Sequence, residues 1–97
     1  LYLCEMKQEL SVIREWIKEG KLDMAIEQLN DHIQKGMPHD DEPYYLLGNA
    51  YRKQGNWQLA LNNYLEAIER NPESPAVHAH RMMMDILNFY NKDMYNQ

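Results

Sequence analysis

Residues Asp41 to Ser74 read DEPYYLLGNAYRKQGNWQLALNNYLEAIERNPES, and the fold of the chain follows from how this stretch is punctuated. Asp41 stands where it can N-cap a helix, and Pro43 falls in the first turn, where its missing N–H costs little. Tyr44, Leu47, Gly48 and Tyr51 recur at steps of three and four, the period of one buried helical face. Gly48 lies inside that face at an intrinsic cost of about 1 kcal/mol relative to Ala, which implies a neighbour too close for a Cβ. Gly55 can take positive φ and end this helix, and Asn56 can cap the next. The second helix carries Trp57, Ala60, Leu61, Tyr64, Leu65 and Ile68 on one side, with Ala67 widening the stripe, until Asn71-Pro72 stops it.

A helix pair of this kind needs neighbours to cover its faces, and the sequence supplies them on both sides. Upstream, Gly20, Ala25 and Leu29 stand 35 residues before Gly55, Ala60 and Tyr64, and Trp16 stands 35 before Tyr51. Ile13 takes the place of Gly48, His32 that of Ala67 and Glu9 that of Tyr44, so this first copy is degenerate. A first helix over roughly 3–19 has Leu3, Met6, Leu10, Ile13 and Ile17 on a packing face, with Lys7, Arg14 and Lys18 forming a stripe about 40° wide beside it. The next helix, 22–35, buries Leu22, Ala25, Ile26, Leu29 and Ile33, with Gly36 as its C-cap. Downstream, Ser74 caps a helix that Pro75 opens and that runs to Tyr90. It places Ala76, Ala79, Met82, Met83, Ile86 and Tyr90 on one side and Arg81, Asp85 and Asn88 on the other. Asn91-Lys92-Asp93 and the polar tail end the pattern.

The spacing of Tyr44, Leu47-Gly48, Tyr51, Gly55, Ala60, Tyr64, Ala67 and Pro72 resembles one tetratricopeptide repeat, whose period is about 34 residues. The resemblance implies one all-α domain over 1–97, a TPR-like α-solenoid of two antiparallel helix-turn-helix repeats. Residues 6–40 form the degenerate repeat, 41–74 the well-matched one, 75–90 a C-terminal capping helix and 91–97 a polar tail. It also implies a non-enzymatic protein–protein interaction module, in which the first helices of the repeats line a concave groove for a peptide or helix. Carried over residue by residue, the lining is Lys7, Leu10, Arg14 and Lys18, then Glu42, Tyr45, Asn49, Arg52 and Lys53, then His80 and Met83. Lys7, Arg14, Lys18, Tyr45, Asn49, Arg52 and Lys53 are the residues expected to touch a partner. Five cations against one carboxylate suit an acidic protein segment. Asn49 resembles the Asn of a carboxylate clamp found in some members, but Leu10, Tyr45 and Ala76 stand where that clamp needs polar groups, so the clamp is not expected. Arg52→Glu with Lys53→Glu is expected to abolish binding and to leave melting unchanged. The rival reading is structural, since two repeats fall short of the ~3 that such arrays usually need and leave apolar surface for self-association or for docking within a larger protein.

Composition bounds the remaining classes. A 97-residue chain with a net charge of −5 and 44% hydrophobic residues can bury a core and is a poor overall match to nucleic acid. Cys4 is alone, so no disulfide forms within the chain and the compartment does not follow; the cytoplasm is favoured only slightly. No apolar run reaches the ~20 residues of a membrane span, so insertion is not expected. The chain begins at Leu1 and not at Met, as a piece of a longer protein would. His78 and His80 are two apart, pointing in nearly opposite directions on a helix, and His32 and His39 have no ligand spacing to them, so no metal or other cofactor is expected. Of Met82-Met83-Met84, the first two read as core and Met84 as exposed. Trp16 and Trp57 read as core wedges. No nucleophile–base set or phosphate loop exists on which an enzyme reading could rest.

Overall fold

The computed structural model describes residues 2–35 and 40–95, with side chains over 10–35 and 40–88. Five helices follow one another: α1 (Tyr2–Glu19), α2 (Leu22–Lys35), α3 (Glu42–Gln54), α4 (Trp57–Arg70) and α5 (Ala76–Tyr95). Among the described residues there is no strand, and the chain is an all-α stack measuring 57 × 28 × 18 Å. Each helix packs on its neighbour in sequence from α1 to α5, and α1 also touches α3, so these two first helices stand side by side along one face.

The two helix–helix turns are built alike because a glycine sits at each. Gly20 has φ 85° and Gly55 φ 89°, the left-handed conformation that closes a helix. After α1, the Gly20 and Lys21 N–H groups donate to Ile17 O at 3.2 Å and Trp16 O at 2.8 Å; after α3, Gly55 and Asn56 donate to Arg52 O at 3.1 Å and Tyr51 O at 2.9 Å. The bonds therefore recur 35 residues apart and satisfy the same orphan carbonyls. Asn56 then caps α4 by accepting from Leu59 N–H at 3.3 Å, and Ser74 Oγ accepts from Ala76 N–H at 3.1 Å to open α5. At α3 the capping atom is one residue earlier than the sequence implies. Asp41 is helical at φ −82° and makes no side-chain cap bond, whereas Asp40 Oδ1 accepts the Glu42 N–H at 3.3 Å. At the other end, α5 continues past Tyr90 to Tyr95. Asn91 and Asp93 are weak helix formers, but Lys92 between them is a good one and neither Gly nor Pro interrupts the run to Tyr95.

Two cores share α3 as a wall. Leu10, Ile13 and Ile17 of α1, Ala25 and Leu29 of α2 and Leu46, Leu47 and Ala50 of α3 form one; Ala60, Tyr64 and Ala67 of α4 and Ala76, Ala79 and Met83 of α5 form the other. Tyr45 and Tyr51 pack against both. Gly48 is required by close approach: a Cβ built there would strike three atoms of the Tyr64 ring, the farthest of them, Cζ, at 2.9 Å. The Tyr64 hydroxyl is satisfied at 2.5 Å by Asn49 Oδ1. Several apolar side chains stay outside the core. Trp57 is 41% and Leu65 50% exposed on α4, so Trp57 is no core wedge, whereas Trp16 is half-buried against the first core. On α5 only Met83 of the three consecutive methionines is buried; Met82, like Met84, faces solvent, as does Ile86. The helix has one flank too few neighbours to cover them. His32, at the place of Ala67, is buried. Leu3, Cys4, Met6, Lys7, Gly36, His39 and Tyr90 lie outside the residues described at side-chain level.

Candidate functional site

On α3 Asn49, Arg52 and Lys53 lie outside both cores, Tyr45 packs at the edge of each, and α1 brings Arg14 and Lys18 alongside. Two adjoining depressions form where these helices run together. One, of about 200 Å³, is lined by Arg14, Ile17, Lys18, Tyr45, Leu46 and Asn49; the other, of about 350 Å³, by Arg14, Asp41, Glu42, Tyr45 and Pro75. Arg14 and Tyr45 belong to both, so they form the rib between two adjoining depressions that together extend from the end of α1 to the start of α5. Tyr45 is held there by the Tyr64 ring, with centroids 6.1 Å apart and planes at 40°.

Four of the seven residues expected to touch a partner thus converge: Arg14, Lys18, Tyr45 and Asn49. Their chemistry is less uniformly basic than the sequence implies. Arg14 is in an ion pair with Glu42, which neutralises both at the rib. Lys18 stands near Glu15 at 3.7 Å, a pair of two exposed side chains that contributes little. Asn49 spends its carbonyl on the Tyr64 hydroxyl, leaving its amide N–H groups to face the hollow. Arg52 lines neither depression. Lys53 turns away to α1, where its ammonium donates to Ile17 O at 2.9 Å and Lys18 O at 3.4 Å. Those carbonyls are among the orphans at the end of α1, so Lys53 serves as a tertiary C-cap. The expectation that reversing Lys53 leaves melting unchanged is therefore corrected, because a carboxylate there would face the negative end of α1. Lys7 lies outside the described side chains, and Leu10 and Met83 are buried in the two cores instead of lining the groove.

Charge is consequently graded along the hollow. Lys18 gives a cationic end near the α1 terminus, whereas Asp41 and Glu42 border the other end with Asp40 behind them. Burial, followed by the neighbouring Asp41, pushes the Asp40 carboxyl above its usual range, against an opposing pull from His32. Sequence reading missed four lining residues: Ile17 and Leu46, which are core residues whose edges reach the smaller depression, and Asp41 and Pro75. The only signal for Asp41 and Pro75 was position at the start of first helices, on the rim of such a stack. Among the described residues, no three His, Cys, Asp or Glu side chains gather as a metal site. No helix described is long and apolar enough to cross a membrane.

Comparison with known proteins agrees with this architecture. The family model described as tetratricopeptide repeat matches residues 42–74. The chain is similar to a Bacteroides fragilis protein solved by solution NMR, with 58% sequence identity, a TM-score of 0.81 and coverage of 91% of this chain and 89% of that one. No curated protein matches the chain.

Proposed function

The chain belongs to the tetratricopeptide repeat family, whose repeats mediate protein–protein interaction, and from that premise we propose that it is a non-enzymatic binding module that takes an extended peptide segment in the hollow between α1 and α3. One observation carries the proposal: the two depressions adjoin at Arg14 and Tyr45, forming a trough with an exposed cation at one end. The Asn49 amide can hold a peptide backbone, Tyr45 offers an aromatic face at low entropic cost, and Lys18 attracts a carboxylate. The Arg14–Glu42 pair spans the rib and keeps the guanidinium in place. Self-association is less well supported, because the face of α5 turned away from α3 carries the exposed Arg81 charge.

Lys18→Glu is the direct test, and because Lys18 lies in the last turn of α1, where a carboxylate costs up to about 1 kcal/mol, Lys18→Gln is run beside it to remove the charge without opposing that helix end. Proteins captured from native lysate by wild type are identified, and the captured segment is synthesised and titrated by fluorescence anisotropy. Lys18→Glu and Lys18→Gln are each expected to weaken its binding at low salt, the reversal at least tenfold, while melting falls by about 5 °C at most and both variants stay folded during the titration. Equal affinity for the two proteins would remove the groove from consideration.

A further inference from the structure

Burial along α5 repeats that along α3 at an offset of 33 residues. Pro43 and Ala76, Leu46 and Ala79, and Ala50 and Met83 are buried in both helices, and Tyr44 and Val77 are half-buried in both. The offset is one residue shorter than the family period of about 34, and one residue turns a helix by ~100°. It therefore changes which side chains of α5 continue the face carried by Tyr45, Asn49 and Lys53. At 33 residues those counterparts are His78, Met82 and Ile86. All three are exposed, Met82 at 45% and Ile86 at 39%, whereas the Met83 that the longer period selects is fully buried.

From this register we infer that α5 is the third wall of the trough, and that Met82 and Ile86 form an apolar subsite for the same peptide that Lys18 holds by a carboxylate. This rests on the proposed peptide-binding function and specifies its ligand. Three observations bear on it together. Pro75, at the entrance to α5, already lines the depression that contains Arg14 and Tyr45, so the hollow reaches this helix. Met82 and Ile86 are four apart and stand one above the other on a single stripe. The charges are arranged in opposite senses, with Lys18 at the α1 end and exposed Asp85, the counterpart of Arg52, at the α5 end. An acidic ligand residue is thus drawn to α1 and repelled from α5, which fixes the peptide's direction across the helices. The remaining face of α5, corresponding to Tyr44, Leu47, Gly48 and Tyr51, carries Val77, His80, Arg81 and Met84. A further helix packed there would have to bury the Arg81 charge, so that face suits solvent and the apolar pair belongs to the trough.

Adjacent helix axes lie ~8–10 Å apart and an extended chain advances ~3.3 Å per residue, so α1 and α5 are bridged by about six residues. The ligand class is accordingly an extended peptide with a carboxylate and a large apolar side chain about six positions apart. A phage-displayed dodecapeptide library selected on the immobilised wild-type chain tests this. The best peptide is then synthesised with a fluorescein label and titrated against wild type, Lys18→Glu and Met82→Glu/Ile86→Glu. Enriched peptides are expected to share an acid and an apolar residue at that spacing. The methionine and isoleucine variant should lose at least tenfold in affinity, and replacing the peptide's apolar residue by Asn should cost wild type as much but the variant almost nothing. Circular dichroism melting checks that the variant remains folded. Peptides with a shared acid, no apolar preference and equal affinity for the Met82/Ile86 variant would overturn the third wall and leave the α1–α3 trough standing. Absence of any enriched peptide would overturn both.

Discussion

The two repeats solve one packing problem by opposite means. In the second, Gly48 lets the Tyr64 ring press against the backbone of α3, and small residues, Ala60, Ala67, Ala76 and Ala79, surround that ring. In the first, Ile13 and Leu29 stand 35 residues before Gly48 and Tyr64, and both are buried in the same aliphatic cluster. The bulk has moved from one helix to both. A branched side chain on α1 is allowed because α2 offers a leucine where α4 offers a ring, and interior volume is conserved in kind even though the motif is lost. What reads as degeneracy is thus a coupled exchange, and the first repeat adds long-range ties that the second does not need. Arg14 pairs with Glu42, and Lys53 caps α1. The second is closed within itself, by Arg70 of α4 lying 4.1 Å over the Tyr44 ring of α3 and reaching Glu66 at 2.6 Å.

The sharpest way to break this contrast is to install the first repeat's solution in the second. Gly48→Ile alone drives a branched side chain into the Tyr64 ring and should destabilise by about 3 kcal/mol or more, beyond the usual overpacking penalty because backbone as well as side chain must shift. Gly48→Ile with Tyr64→Leu should recover a large part of that loss in urea unfolding. If the double variant is as unstable as the sum of its parts, the two pairs are not interchangeable and the coupling between them is absent.

A second effect separates the cores by alkali. Burial pushes the Tyr64 hydroxyl up to about 12, with Arg52 opposing and Tyr45 reinforcing the shift. The folded-state value lies above the unfolded one, so this stabilisation is full below pH 10 and is lost as pH rises from 10 to 12. Two units correspond to about 2–3 kcal/mol at most. Tyr64→Phe should flatten stability over that window, while costing about 1 kcal/mol at neutral pH for the hydrogen bond to Asn49. An unchanged alkaline slope would mean that another group carries it.

The smallest of the three concerns the tie between repeats. Lys53→Met keeps the aliphatic stem and removes the ammonium from the Ile17 and Lys18 carbonyls. It should cost about 1 kcal/mol and raise amide exchange at the end of α1 ahead of α4. Uniform exchange in both repeats would show that Lys53 is a surface cation without a capping role.

Most of the fold was legible because glycine and proline act locally. Gly20 and Gly55 close their helices through the same bonds, Asn56 and Ser74 cap where the sequence places them, and the spacing around Gly48 anticipates a close neighbour. The candidate site was only half legible. Arg14, Lys18, Tyr45 and Asn49 come together because helical periodicity alone directs them to one side. The fate of Lys53 could not be read from that periodicity, since the acceptors it meets are backbone atoms that carry no sequence signal. Met82 and Met83 were equally opaque: a one-residue difference in the connection rotates α5 enough to exchange which of them is buried.

The elements of this protein, their order and the small residues at which they meet are written in the chain, because caps, turns and apolar period are encoded within a few residues of where they act. The tertiary structure decided which cations remain free to meet a partner and which are consumed in holding helices together. It also decided which stripe of α5 faces the trough. Both depend on distances between helices, and those are set only when the two cores have packed against α3.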